Sequence, residues 1–252
     1  MPWQLETIRA TVFAPDVKAL GLPDWQTLMK VPPRQTRRNP DADSTLEAGP
    51  FGEHWLTMGL ARRPGLGPER ADLILAPPQS TVVVPVGPLQ ERIESAAIGP
   101  CTTNFRPFIE LTKRWLSTDS HVARLALACT LWERTSSYDE ALDIVLHYVR
   151  SFKKADNDRI TDFLIQLNRP RPSRANPSVT INRFAQWSAR TVEILLTLRP
   201  VIPPPIIRYT RAQTDLDIGT AGDSGIAGRE IPQFLEELRE SLVDIAENGD
   251  AP

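Results

Sequence analysis

Asp215 and Asp217 sit two residues apart in "TDLDIG", a spacing that puts both carboxylates on one face of a strand while Leu216 and Ile218 take the other. Two hard oxygen ligands on a rigid strand could hold Mg²⁺ for chemistry on phosphate esters. The upstream Gly-Ser turn that a metal-dependent nucleotidyltransferase needs is missing, and an alternating solvated strand, its acids paired with neighbouring arginines, is the commoner arrangement. A second group lies in "FLIQLNRPRPSRANPSVTINRF" (163–184), where Arg169, Arg171 and Arg174 alternate with Pro170 and Pro172. The prolines forbid a helix and hold the segment extended. Arginine forks match phosphate or carboxylate oxygens in pairs. Asn168 and Arg183 could add hydrogen bonds, and Trp187 a stacking plane for a single-stranded base. The competing reading is a proline-stiffened hairpin tip whose arginines meet water or acids of the same chain.

Other chemistry finds little footing. His54, His121 and His147 stand in no recognisable motif, and no GxSxG, P-loop, HExxH or strand-linked GxGxxG occurs. No catalytic residue and no cofactor is expected, and an enzyme is the less favoured reading. Cys101 and Cys129 lack metal-ligand or CxxC spacing, so two buried thiols in a cytoplasmic protein are expected. No stretch approaches the roughly 18 apolar residues of a membrane span, and the first residues do not resemble a signal peptide.

Charge is unevenly spread although the net value is −2. From Asn168 to Arg211 there are eight arginines against Glu193, and from Ala212 onward ten acids against Arg229 and Arg239. Such asymmetry marks either a surface for a nucleic-acid or protein partner at 168–211, or a basic sheet facing an acidic helix within one fold. A homo-oligomeric assembly subunit is a further alternative.

The elements that must carry these residues follow from periodicity. Strands are expected at 5–13, 54–63, 70–78 and 81–86, and in the second half at 121–132, 162–170, 180–199 and 206–219. Helices are expected after Asp24, over 105–116, over 137–149 behind a Ser137/Glu140 capping box, and over 231–249. In the last, Phe234, Leu235, Leu238, Leu242 and Ile245 form the apolar stripe. The polar run from Pro32 to Gly52 reads as a loop. Each half thus reads strand, helix, strands, helix, with a joint near 117–120. The expectation is an α+β fold, mainly antiparallel sheet with helices on one face. The halves 1–118 and 119–252, which could share one continuous domain, suggest an internal duplication of that unit.

The run "DFLIQLNRPRPS…VTINRFAQWS", then "TDLDIGT" and "FLEELRESLVDIAENGD", resembles a sporadically distributed bacterial family of chains about this long. "FGEHWLTMGL" and "RADLILAPP" extend the likeness over most of the sequence. No activity comes with that family, so no catalytic residue is carried over. Its patchy occurrence implies an accessory gene, of the kind found in defence or mobile-element cassettes.

Overall fold

The computed structural model describes residues 3–39, 44–61, 69–78, 97–117, 119, 121–155, 159–195, 206–222 and 224–250. Their strands join into one antiparallel sheet: β1 (Gln4–Ala14), β2 (Gln35–Asn39), β3 (Ser44–Phe51), β4 (His54–Ala61), β5 (Glu69–Ala76), β7 (Arg124–Thr135), β8 (Phe163–Asn168), β10 (Thr180–Leu195) and β11 (Ile206–Thr220). Their spatial order is β2-β3-β4-β5-β1-β7-β11-β10-β8, and the short β6 (Gly99–Pro100) and β9 (Arg171–Pro172) pair with β1 and β10. The fold is α+β, mostly antiparallel sheet, as expected. The halves meet at β1 and β7, and outward from that seam each half runs in the same order, its last strand lying beside its first.

Alternation decides which face is covered. In β1, Leu5, Ile8, Ala10, Val12 and Ala14 are buried. Leu5 and Ile8 are three apart, which breaks a period of two. A register shift between Leu5 and Thr7 absorbs the extra residue and keeps both side chains on the core side. Opposite them, Leu127, Cys129 and Leu131 of β7 and Leu73 and Leu75 of β5 continue the same apolar layer.

Four α-helices among the described residues seal that layer: α1 (Trp25–Met29), α2 (Cys101–Trp115), α3 (Tyr138–Tyr148) and α4 (Ile231–Asn248). In α3, Ser137 Oγ accepts from the Glu140 amide at 3.2 Å. The Glu140 carboxylate reaches back to Ser136 N at 2.7 Å, one residue beyond the Ser137 amide of an ideal capping box. Its Ala141, Leu142 and Val145 are buried against β7, β10 and β11. In α4, Phe234, Leu235, Leu238 and Leu242 are wholly buried and Ile245 nearly so, the stripe read from the sequence. Trp3 at the start of the sheet donates its Nε1 hydrogen to Ala246 O at 3.1 Å and packs on Tyr148. Burial of several such side chains, at roughly 1.5–3 kcal/mol each, fixes α4 on the sheet.

Two expectations need correction. The region from Pro32 to Gly52 is not a loop throughout, because both β2 and β3 lie within it. β2 is an edge strand whose five residues are all exposed, so it carries no apolar alternation to read. The helix expected over 105–116 begins four residues earlier, at Cys101, with Pro100 as its cap. The strand expected over 81–86 lies outside the described residues. No helix among the described residues is long and apolar enough to cross a membrane.

Candidate functional site

The proline-arginine run is extended as expected, and Arg171 and Pro172 pair with Ile181 and Thr180 of β10. Its arginines, however, turn to the helix side. Arg169 lies 3.6 Å from Asp250, and Arg171 donates to Ser241 Oγ at 2.7 Å and stands 4.0 Å from Glu237. Arg174 pairs with Glu240 and lies 3.6 Å from Glu237, while Arg183 meets Asp244 at 2.6 Å. Asn168 is held between Asn182 Oδ1 and the Arg183 amide. Trp187 is 1% exposed and belongs to the core. Of the two readings of this run, the arginines thus follow the one in which they meet acids of the same chain: Glu237, Glu240 and Asp244 of α4, and Asp250 just past its end.

Glu237 is the centre of this clasp. Its carboxylate is 4% exposed and accepts from Ser173 Oγ at 2.6 Å, Arg174 N at 2.9 Å and Ala175 N at 3.2 Å. Burial pushes its carboxyl up, but the bonds from Ser173, Arg174 and Ala175 outweigh this and hold it below the usual carboxylate range. Asp250 plays the same part at the end of α4. It accepts from Arg150 N at 2.7 Å and Ser151 N at 3.1 Å, and is likewise held down against the effect of burial.

The sheet face that no described helix covers carries the remaining polar chemistry. Asp215 and Asp217 do share this face, as the two-residue spacing requires. Asp215 accepts from Thr130 Oγ1 at 2.8 Å, Gln213 Nε2 at 2.7 Å and Gln186 Nε2 at 3.3 Å, so both its oxygens are occupied. Asp217 faces Arg9 at 3.9 Å. Among the described residues no group of three His, Cys, Asp or Glu is placed to hold a metal ion. Asp215 is thus wired into the sheet, whereas Asp217 makes only the long approach to Arg9.

Register assembles what spacing along the chain does not reveal. Arg211 of β11 lies directly opposite Arg134 of β7 on one side and Arg190 of β10 on the other. Residues so opposed have Cβ atoms about 4.5–5.5 Å apart, and like charges there are destabilising. Arg211 is compensated by Glu6 at 3.1 Å and by Gln213. Arg190 donates to Ser188 Oγ at 2.8 Å, and Arg134 lies over the Tyr209 ring at 6.0 Å. Among the described residues no carboxylate pairs with Arg134 or Arg190.

Trp132, beneath Arg211 at 5.8 Å, is 3% exposed and its Nε1 has no hydrogen-bond partner. A hollow of about 630 Å³ adjoins the row, lined by Arg134, Ser136, Arg208 and Tyr209. Arg190, Arg208 and Arg211 belong to the basic 168–211 region. Arg134 comes from outside it, and only strand pairing brings it there. No protein-family model, curated protein or solved structure matches the chain.

Proposed function

We propose that this chain is a non-catalytic binding protein that receives single-stranded nucleic acid on the sheet face that no described helix covers. The observation that carries the reading is the Arg134–Arg211–Arg190 row, three like charges side by side across β7, β11 and β10 with one carboxylate among them. An arrangement that repels itself in the free protein is relieved when anions lie along it. Guanidinium groups supply paired donors for phosphate oxygens, and the Tyr209 ring beside the row offers a face for a base. The partner surface expected at 168–211 is thereby moved from Arg169, Arg171, Arg174 and Arg183, which serve α4, to the arginines of the same region that face away from it.

The same outward strand order in the two halves supports an internal duplication of the strand–helix–strands–helix unit. The buried Cys101 and Cys129 suit a cytoplasmic setting. An accessory role in a bacterial defence or mobile-element cassette fits the resemblance.

The test is fluorescence anisotropy with a labelled oligo(dT) across a salt series. Each phosphate neutralised on a single strand contributes about −0.7 to the slope of log affinity against log salt. The Arg134→Ser/Arg190→Ser protein should lose about one to one and a half units of slope, and Arg174→Ser should bind as the wild type does. Salt-insensitive binding, or equal binding by the double variant, refutes the reading.

A further inference from the structure

The centre of the same face holds a second constellation, built by a cross-strand row of five residues. Ile74 of β5 lies opposite Arg9 of β1, Arg9 opposite Ala128 of β7, Ala128 opposite Asp217 of β11, and Asp217 opposite Phe184 of β10. The small Ala128 between two charged neighbours leaves a floor instead of a filled position. Over it opens a cleft of about 360 Å³ lined by Arg9, Ile74, Ala128, Phe184 and Asp217. That size lies within the roughly 300–1,000 Å³ of small-molecule sites.

The charges in this cleft are not closed on one another. Arg9 stands 3.9 Å from Asp72 and 3.9 Å from Asp217, about 1 Å longer than a charge-assisted hydrogen bond. Asp72 is engaged elsewhere, by Thr11 at 2.6 Å and Arg70 at 2.7 Å. Both side chains stay partly open, 37% of Arg9 and 41% of Asp217 being exposed. The Arg9 guanidinium and the Asp217 carboxylate thus flank the cleft as a loosely paired donor and acceptor, with the Phe184 ring on one side and Ile74 as an aliphatic wall on the other. A guanidinium and a carboxylate that are only loosely paired can donate to and accept from one edge of a ligand in the cleft.

We infer that the Arg9–Asp217–Phe184 cleft receives a nucleobase, its edge read by Arg9 and Asp217 and its ring packed on Phe184. A base is planar and carries an acceptor next to an N–H donor on one edge. A trans peptide group has the same two functions pointing in opposite directions, and cannot offer both to one side. Phe184 adds a stacking partner that tolerates any base. Asp217 lies six residues along β11 from Arg211, about 20 Å at the strand's rise. A single strand of a few nucleotides held at the arginine row can reach across that distance. The inference extends the single-strand reading, yet it rests on different atoms.

Isothermal titration with adenosine, guanosine, cytidine and uridine tests it, because uncharged nucleosides do not engage the arginine row. At least one should bind the wild-type protein. Asp217→Ala and Phe184→Leu, each confirmed as folded by its melting curve, should weaken it by about tenfold or more. Arg134→Ser/Arg190→Ser should leave it unchanged. Absence of binding by all four, or wild-type binding by both cleft variants, overturns the inference. Salt-dependent oligo(dT) binding without nucleoside binding overturns it while sparing the phosphate row. Nucleoside binding without salt-dependent oligo(dT) binding upholds the cleft and removes the row.

Discussion

Replacing Glu237 by alanine should release the 169–179 hairpin from α4. The buried carboxylate accepts three hydrogen bonds from Ser173, Arg174 and Ala175 and faces the Arg171 and Arg174 guanidinium groups. Each hydrogen bond to a charged group is worth about 1.5–3 kcal/mol net, but they share one acceptor and do not add fully. Breaking a buried pair by removing one partner costs about 3–5 kcal/mol, and we expect the Ala variant in that range. Arg174 is 64% exposed, so its own contribution to the sum is small. Urea denaturation measures the total, and amide hydrogen exchange at Arg174 and Ala175 locates it.

The same carboxylate predicts a pH dependence. Its folded pKa is depressed, so its stabilisation is fully present above the unfolded value of about 4.3 and is lost as pH falls through the lower folded value. Glu237→Gln should flatten that acid limb. A loss below about 1 kcal/mol in the Ala variant, with both amides still protected, would refute the clasp.

Leu238→Ala, at a wholly buried position of α4, should cost about 2–5 kcal/mol in the same denaturation assay. Gly249→Ala should cost about 1–3 kcal/mol or more: φ is +69° with ψ −138°, and an added Cβ would come within 2.0 Å of Tyr148 O. Its melting temperature is the readout. Asp250→Asn should weaken the tie between α4 and residues 150–151, seen as faster exchange of the Arg150 and Ser151 amides, with an acid limb less steep than that of the parent protein.

Local pattern was enough for several elements. The spacing of Phe234, Leu238, Leu242 and Ile245 announces α4, and Ser137 with Glu140 announces the start of α3, because capping and helical periodicity act within a few residues. The alternation in "TDLDIG" correctly sets Asp215 and Asp217 on one face. β2 was illegible for a local reason of another kind: an edge strand exposed along its whole length has no buried side to leave a mark. The arginines show where local pattern stops. Their number and their prolines establish an extended basic run, but not whether its partner is solvent, a ligand or the chain itself.

Glu237, Glu240 and Asp244 stand at helical spacing and so form an acidic stripe on α4, yet nothing near them in sequence says that Arg171, Arg174 and Arg183 will face it. That is settled by the antiparallel pairing of β9 with β10 and by the seating of α4 on the sheet. Arg134 and Arg211 are likewise 77 positions apart, and Arg9 and Asp217 are 208 apart, until register places each pair in one cross-strand row. A period of two tells each side chain which face to take. Which residue stands beside it on that face depends on strand order and register, which are set by contacts between distant parts of the chain.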